Sequence, residues 1–173
     1  MPRDRQRGNS LLLALIVMSA LATLGSLTVV SVQSSLKAST NDRFQSVALY
    51  AAESGAAAAM VYLRGKHVAE GTFANTIGPN PPVAGNGVAA GDPSSLFTND
   101  QNASFSVVMA TSPADPSATD RVLIRATGYG AQGSTAIMEW DVGWDTTWYT
   151  GPPAQAATTT HGLVLHSWRV INL

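Results

Sequence analysis

The sequence predicts an α+β protein, with a long N-terminal helix whose first half crosses a membrane packed on a small antiparallel β-sheet. Three observations carry this. From Gly8 to Leu36 the chain is uncharged and dominated by Leu, Ala, Val, Ile and Met. From Asn41 to Arg64 apolar and small residues recur at helical spacings. From Arg121 onward two runs of strand-forming residues flank the glycine-rich stretch GYGAQG. A chain of 173 residues accommodates one domain and an appendage.

The apolar run comes first. At about 1.5 Å per residue it spans roughly 40 Å as a helix, more than the ~30 Å of a hydrocarbon core. Arg3, Arg5 and Arg7 precede it, which keeps the N-terminus cytoplasmic and exports the chain beyond Lys37. Three readings compete. SALA at Ser19–Ala22 has the small-x-small pattern of a cleavable secretory signal, cut after Ala22. Against this, the apolar run continues through Leu24, Leu27, Val29, Val30 and Val32, where a signal peptide turns polar. A passive anchor is the second reading.

The third comes from the next stretch, NDRFQSVALYAAESGAAAAMVYLRG. Phe44, Val47, Ala48, Ala51, Gly55, Ala59 and Tyr62 share one narrow helical face. That face is mostly Ala and Gly, so a neighbouring helix can approach closely. Arg64 suits the last turn and Gly65 a left-handed cap. The expectation is one continuous helix from about Asn9 to Arg64, as a helix-packed filament subunit requires. The segments are 1–8 as a basic leader, 9–36 as the membrane half, 37–65 as the exported half of the helix and 66–173 as a loop-rich β domain.

In that domain GPNPPVAGNGVAAGDP (78–93) and PADPSATD (113–120) read as loops, with the strand SFSVVMAT (104–111) between them. Arg121–Thr127 and Ser134–Trp148 form an antiparallel hairpin. Along the second arm, Met138, Trp140, Val142, Trp144 and Trp148 alternate with Ile137, Glu139, Asp141 and Asp145, separating an aromatic face from an acidic one. Arg121 and Arg125 can pair with Glu139 or Asp141 across the ladder, for about 0.2–1 kcal/mol each. The aromatic face is expected on the exported half of the helix. The alternative is an exposed row of Trp140, Trp144 and Trp148 that stacks on a sugar or docks a partner. HGLVLHSWRVINL reads as a last strand.

Several kinds of chemistry are not expected. A net charge of −1 argues against nucleic acid as a partner. The chain has no cysteine, hence no thiolate metal site or disulfide. His161 and His166 fall on opposite faces of a strand, which disfavours a shared metal. FTNDQN (97–102) lacks the Gly and terminal Glu of a helix-loop calcium site. Neither a G-x-S-x-G elbow nor a phosphate-binding loop is present. No catalytic residue, metal or cofactor is expected.

With these residues in view, the chain resembles the type IV pilin-like proteins, and more narrowly the PilX-type minor pilins. The resemblance rests on the short basic leader MPRDRQRG ending in Gly8, and on NDRFQSVALYAAESG, whose matching positions are Asn41, Arg43, Ala48, Ala51, Ala52, Glu53 and Gly55. RVLIRATGYGAQGSTAIMEWDV (121–142) matches more loosely. It implies a pilin-like fold and cleavage of the Gly8–Asn9 bond by a prepilin peptidase, with methylation of the new first residue. Most pilins have Phe there; this chain has Asn9.

The resemblance also implies subunit packing through Leu13, Ala48, Ala51, Ala52, Glu53 and Gly55. At the fifth residue after the cut most pilins carry Glu, and here it is Leu13. A buried carboxylate there neutralises the amino terminus of an adjacent subunit, because an unpaired charge in apolar surroundings is expensive. A subunit without it suits the filament tip. The implied partners are other minor pilins, the major pilin, inner-membrane assembly proteins and a large tip adhesin. The same residues also fit the tip pseudopilin of a type II secretion system. A membrane-anchored ligand-binding protein and a soluble exported hydrolase are the rivals from other classes.

Overall fold

The computed structural model describes residues 4–89, 92, 97, 103–149 and 158–172. A helix, α1 (Asp4–Glu70), is followed by four strands: β1 (Ser104–Thr111), β2 (Arg121–Tyr129), β3 (Thr135–Tyr149) and β4 (Thr158–Asn172). The strands form one antiparallel sheet in the order β1-β2-β3-β4. This is the α+β layout read from the sequence. The chain divides into two compact units, Met1–Asp42 and Arg43–Leu173.

From Asp4 onward the first unit is helix. Leu11, Leu12, Leu13, Leu15, Ile16, Val17 and the apolar residues after them through Leu36 are exposed. Its hydroxyls turn back on their own backbone: Ser19 donates to the Ile16 carbonyl, Thr23 to Ala20, Ser26 to Thr23 and Thr28 to Leu24. A hydroxyl satisfied within its own helix carries no unmet polar group into an apolar solvent. The helix is long and apolar enough to cross a membrane, with a mean hydropathy of 2.2 over its most apolar window.

In the second unit the helix ends later than its sequence suggests. It runs through Gly65 to Glu70, closed by a Lys66–Glu70 ion pair of 2.7 Å one turn apart. Gly71, at φ 70°, takes the left-handed position and donates its N–H to the His67 carbonyl at 2.8 Å. The exported half of the helix therefore reaches past residue 65, and the β domain begins after it. The extra turn has a use, since the His67 ring stacks on Trp144 at 4.0 Å and meets Phe73 edge-on.

The sheet packs its inner face on residues 48–63 of α1. Ala56, Ala59, Leu63, Phe73, Phe105, Val107, Met109, Val122, Ile124 and Val142 form the main core, and Ala48, Ala52, Ala136 and Met138 a second cluster beside it. Alternation along β2 buries Val122, Ile124 and Ala126 and turns Leu123 and Arg125 outward. Full burial of a large apolar side chain such as Phe73 or Phe105 contributes about 1.5–3 kcal/mol.

β1 and β2 occupy the predicted positions, although β2 continues through Gly128 and Tyr129 and so shortens the turn. β3 and β4 have 15 residues each, so their pairing continues past the first pair of β2, Arg121↔Gly143. From Trp144↔Leu163 to Tyr149↔Thr158 they form a two-stranded extension.

Gly65 stands exposed inside the helix with open space where a Cβ would go. Gly65→Ala is expected to stabilise the chain by about 0.5–1 kcal/mol, whereas Gly71→Ala is expected to destabilise it by about 1 kcal/mol through strain at positive φ. Denaturant midpoints of the two variants check both the sign and the placement of the helix end.

Candidate functional site

The surface with the strongest claim to function in the sequence is the Ala/Gly face of α1, and the structure uses it internally. Ala48, Ala51, Ala52 and Gly55 are all buried within the chain itself. Their neighbour is the sheet. A Cβ on Gly128 of β2 would lie 1.9 Å from the Ala48 carbonyl oxygen and 2.4 Å from the Ala52 nitrogen. A Cβ on Gly55 would lie 2.8 Å from the Phe105 ring. Gly130 approaches the Phe44 carbonyl in the same manner, and Ser134 donates to that carbonyl at 3.0 Å.

The expectation that these four residues meet a neighbouring subunit is therefore corrected. Small residues do permit close approach, but the partner is a glycine-bearing strand of the same chain. Glu53 remains half-buried and Leu13 is 67% exposed. Gly8 and Asn9 lie within α1, and their surroundings are outside the described residues.

The tryptophan row divides. Trp140 and Trp144 lie on the helix side of β3, packed against the main core, so they do not present an exposed aromatic row. Trp144 also donates its backbone N–H to the Asp120 carbonyl at 2.9 Å. The Trp140 indole N–H is buried without a hydrogen-bond partner among the described residues. The Trp148 side chain lies outside the described residues. The tryptophan that does stand in the open is Trp168 on β4, 62% exposed. The periodicity of β3 contains no signal for it, because its exposure follows from the place of β4 in the sheet.

The outer face of the sheet carries the charges. Asp141 receives two hydrogen bonds from Arg121, at 3.1 and 2.8 Å. Glu139 sits directly between Arg125 of β2 and Arg169 of β4 in the register. Arg125 Nε donates to one Glu139 oxygen at 2.8 Å and Arg169 Nε to the other at 2.7 Å. The Arg121 and Arg125 pairings were legible from the ladder; the third arginine required the register of β4. Glu139 is only 2% exposed. Burial pushes its carboxyl up, but the hydrogen bonds from Arg125 and Arg169 outweigh this and hold it below the ordinary glutamate value. Beside these pairs lies a hollow of about 280 Å³, lined by Leu123, Glu139, Asp141, Ser167, Trp168 and Arg169 among others.

Comparison of the chain with known protein families, with curated proteins and with solved structures gives no match.

Two measurements check this geometry. Gly128→Ala is expected to cost about 3 kcal/mol or more, because the obstructing atoms are backbone and cannot swing aside. Gly162→Ala, with open space around it, is expected to be nearly silent in the same denaturation experiment. A carboxyl lowered by folding stabilises the folded state above its unfolded value of about 4.3, and that contribution fades as pH falls through the folded value. Stability is accordingly expected to fall as the solution is acidified below about pH 4, and Glu139→Gln, less stable at neutral pH, is expected to show a shallower acid limb.

Proposed function

We propose that the chain is a minor pilin that primes type IV pilus assembly and sits at or near the filament tip, without catalytic activity of its own. The observation that carries this reading is the division of labour along α1. Its first unit presents exposed apolar side chains and self-bonded hydroxyls, whereas residues 48–63 are spent on the chain's own sheet. Such a helix is at home in lipid or among similar helices and nowhere else.

On this reading a prepilin peptidase cuts Gly8–Asn9 on the cytoplasmic face of the inner membrane. The arginine leader keeps that end inside and the β domain is periplasmic. Inner-membrane assembly proteins then draw the subunit into a complex with other minor pilins, below which the major pilin adds. Burial against neighbouring helices replaces burial in lipid, so the transfer is not prohibitive. Subunit contacts fall to the apolar unit, including Leu13, and to side chains such as Glu53 that the sheet does not cover.

Leu13 explains the position. No Asp or Glu occurs between Gly8 and Leu36, so the chain has no carboxylate there to offer the amino terminus of a further subunit. An uncompensated charge in a helical core is costly, which confines such a subunit to a place where none is demanded.

Mass spectrometry of the membrane-bound protein is expected to find Asn9 as the first residue, and Met1 in cells lacking prepilin peptidase. A product beginning at Thr23 or retaining Met1 in wild-type cells overturns the proposal. Deletion is expected to reduce pili while leaving type II secretion intact, which separates the pilus from the secretion apparatus. Leu13→Glu is expected to alter the number of pili per cell; an unchanged count removes the charge argument.

A further inference from the structure

The sequence contains one asparagine followed by glycine, Asn86–Gly87. A glycine has no side chain to hinder attack by its own backbone nitrogen on the amide before it, so such a pair loses ammonia more readily than other asparagines.

The structure places this pair in the turn that runs along the edge of β1. Gly85 and Gly87 stand at φ 76° and 68°, and Asn86 donates its backbone N–H to the Val83 carbonyl at 3.0 Å. Val83 is buried in the main core and anchors the turn. Gly87 donates its N–H to the Phe105 carbonyl at 3.0 Å. The Asn86 side chain accepts from the Val107 N–H on Oδ1 at 2.7 Å. Its Nδ2 donates to the carbonyls of Pro81 and Val107, at 3.0 and 3.3 Å. A backbone N–H can only donate and a carbonyl can only accept, so these partners fix the orientation of the side chain and require an amide there.

We infer that Asn86–Gly87 is a deamidation site which the fold keeps closed, and whose conversion leaves this turn permanently open. In the reaction the Gly87 nitrogen gives up its proton and attacks Cγ of Asn86. The new nitrogen–carbon bond closes a cyclic imide, the bond from Cγ to Nδ2 breaks, and Nδ2 leaves as ammonia. Water then opens the imide at either carbonyl, giving aspartate, or isoaspartate with the backbone rerouted through the side chain. The net change converts one amide and one water into one carboxylate and one ammonium. Both departing groups, the Gly87 proton and Nδ2, are hydrogen-bonded in the closed turn. Their bonds to the carbonyls of Phe105, Pro81 and Val107 must be given up before the step can occur. Gly87 is exposed, so solvent base reaches its nitrogen once the turn opens.

The product cannot close again. A carboxylate at position 86 only accepts, and it would face the oxygens of Pro81 and Val107, which also only accept. Each opening of the turn therefore risks a one-way change, and modified chains record how often the β1 edge has been uncovered.

The test incubates the full chain in detergent at mildly alkaline pH and follows the peptide that carries residue 86 by mass spectrometry. Conversion at Asn86 is expected to run about tenfold faster or more in strong denaturant than in the folded chain. Val83→Ala, which loosens the anchor of the turn, is expected to speed conversion in the folded chain several-fold. Val122→Ala, in the same core but on β2, is not. Asn86→Asp, which mimics the product, is expected to lose amide-exchange protection over residues 83–87 by about tenfold while the β2–β3 pairing stays protected. The inference is overturned if folded and denatured chains convert at the same rate, or if Val122→Ala speeds conversion as much as Val83→Ala. It is also overturned if Asn86→Asp keeps the turn as protected as the parent chain. None of these readouts depends on filament assembly or on the Gly8–Asn9 bond, so the inference stands or falls apart from the pilin reading.

Discussion

The closest constraint in the second unit is the approach of two backbones, that of α1 at Ala48–Ala52 and that of β2 at Gly128. A single Cβ at Gly128 would collide with main-chain atoms of the helix. Much else is arranged around that contact. Alanines at 48, 51, 52, 56 and 59 keep the helix surface low, glycine at 128 keeps the strand low, and Phe105 fills the space above Gly55. A core built this way gains less from each side chain than a leucine-rich one. It compensates with many close contacts, each small and short-ranged.

The two faces of the sheet solve different problems. The inner face buries Val122, Ile124, Val142 and Phe105 by the hydrophobic effect. On the outer face the acids of β3 are screened by arginines on the two flanking strands, β2 and β4. Glu139 accepts from both neighbours and ties β2 to β3 and β3 to β4 in one register. A slip of one residue would turn Glu139 toward the core and strand both arginines, so the triplet opposes misregistration. It does so despite two irregularities in the β3–β4 ladder, next to Met138 and Val142.

The proposed roles follow from where each part of the chain is already occupied. The small-residue face is consumed by the sheet, so the subunit contacts of the proposed reading fall to the apolar unit and to the outward side chains of the helix. Along the β1 edge, residues 78–87 supply hydrogen bonds to Phe105, Val107 and Met109.

Much of this was readable in the sequence because it rests on local periodicity. The uncharged run, the three-and-four spacing from Phe44 to Tyr62, the bounds of β1 and the pairing of Arg121 and Arg125 with acids on β3 all follow from repeats of 3.6 or 2. Periodicity states which residues share a face, but not what covers that face. The sequence alone therefore left open whether the alanine face meets a neighbour or its own strand. The sequence pointed to Gly65 as the end of the helix, whereas the left-handed position falls at Gly71, one turn past the His67–Trp144 stack. The second arginine on Glu139, Arg169, and the exposure of Trp168 arose only when residues far apart in the chain were brought into register. Local spacing cannot encode those pairings, because they depend on strand order.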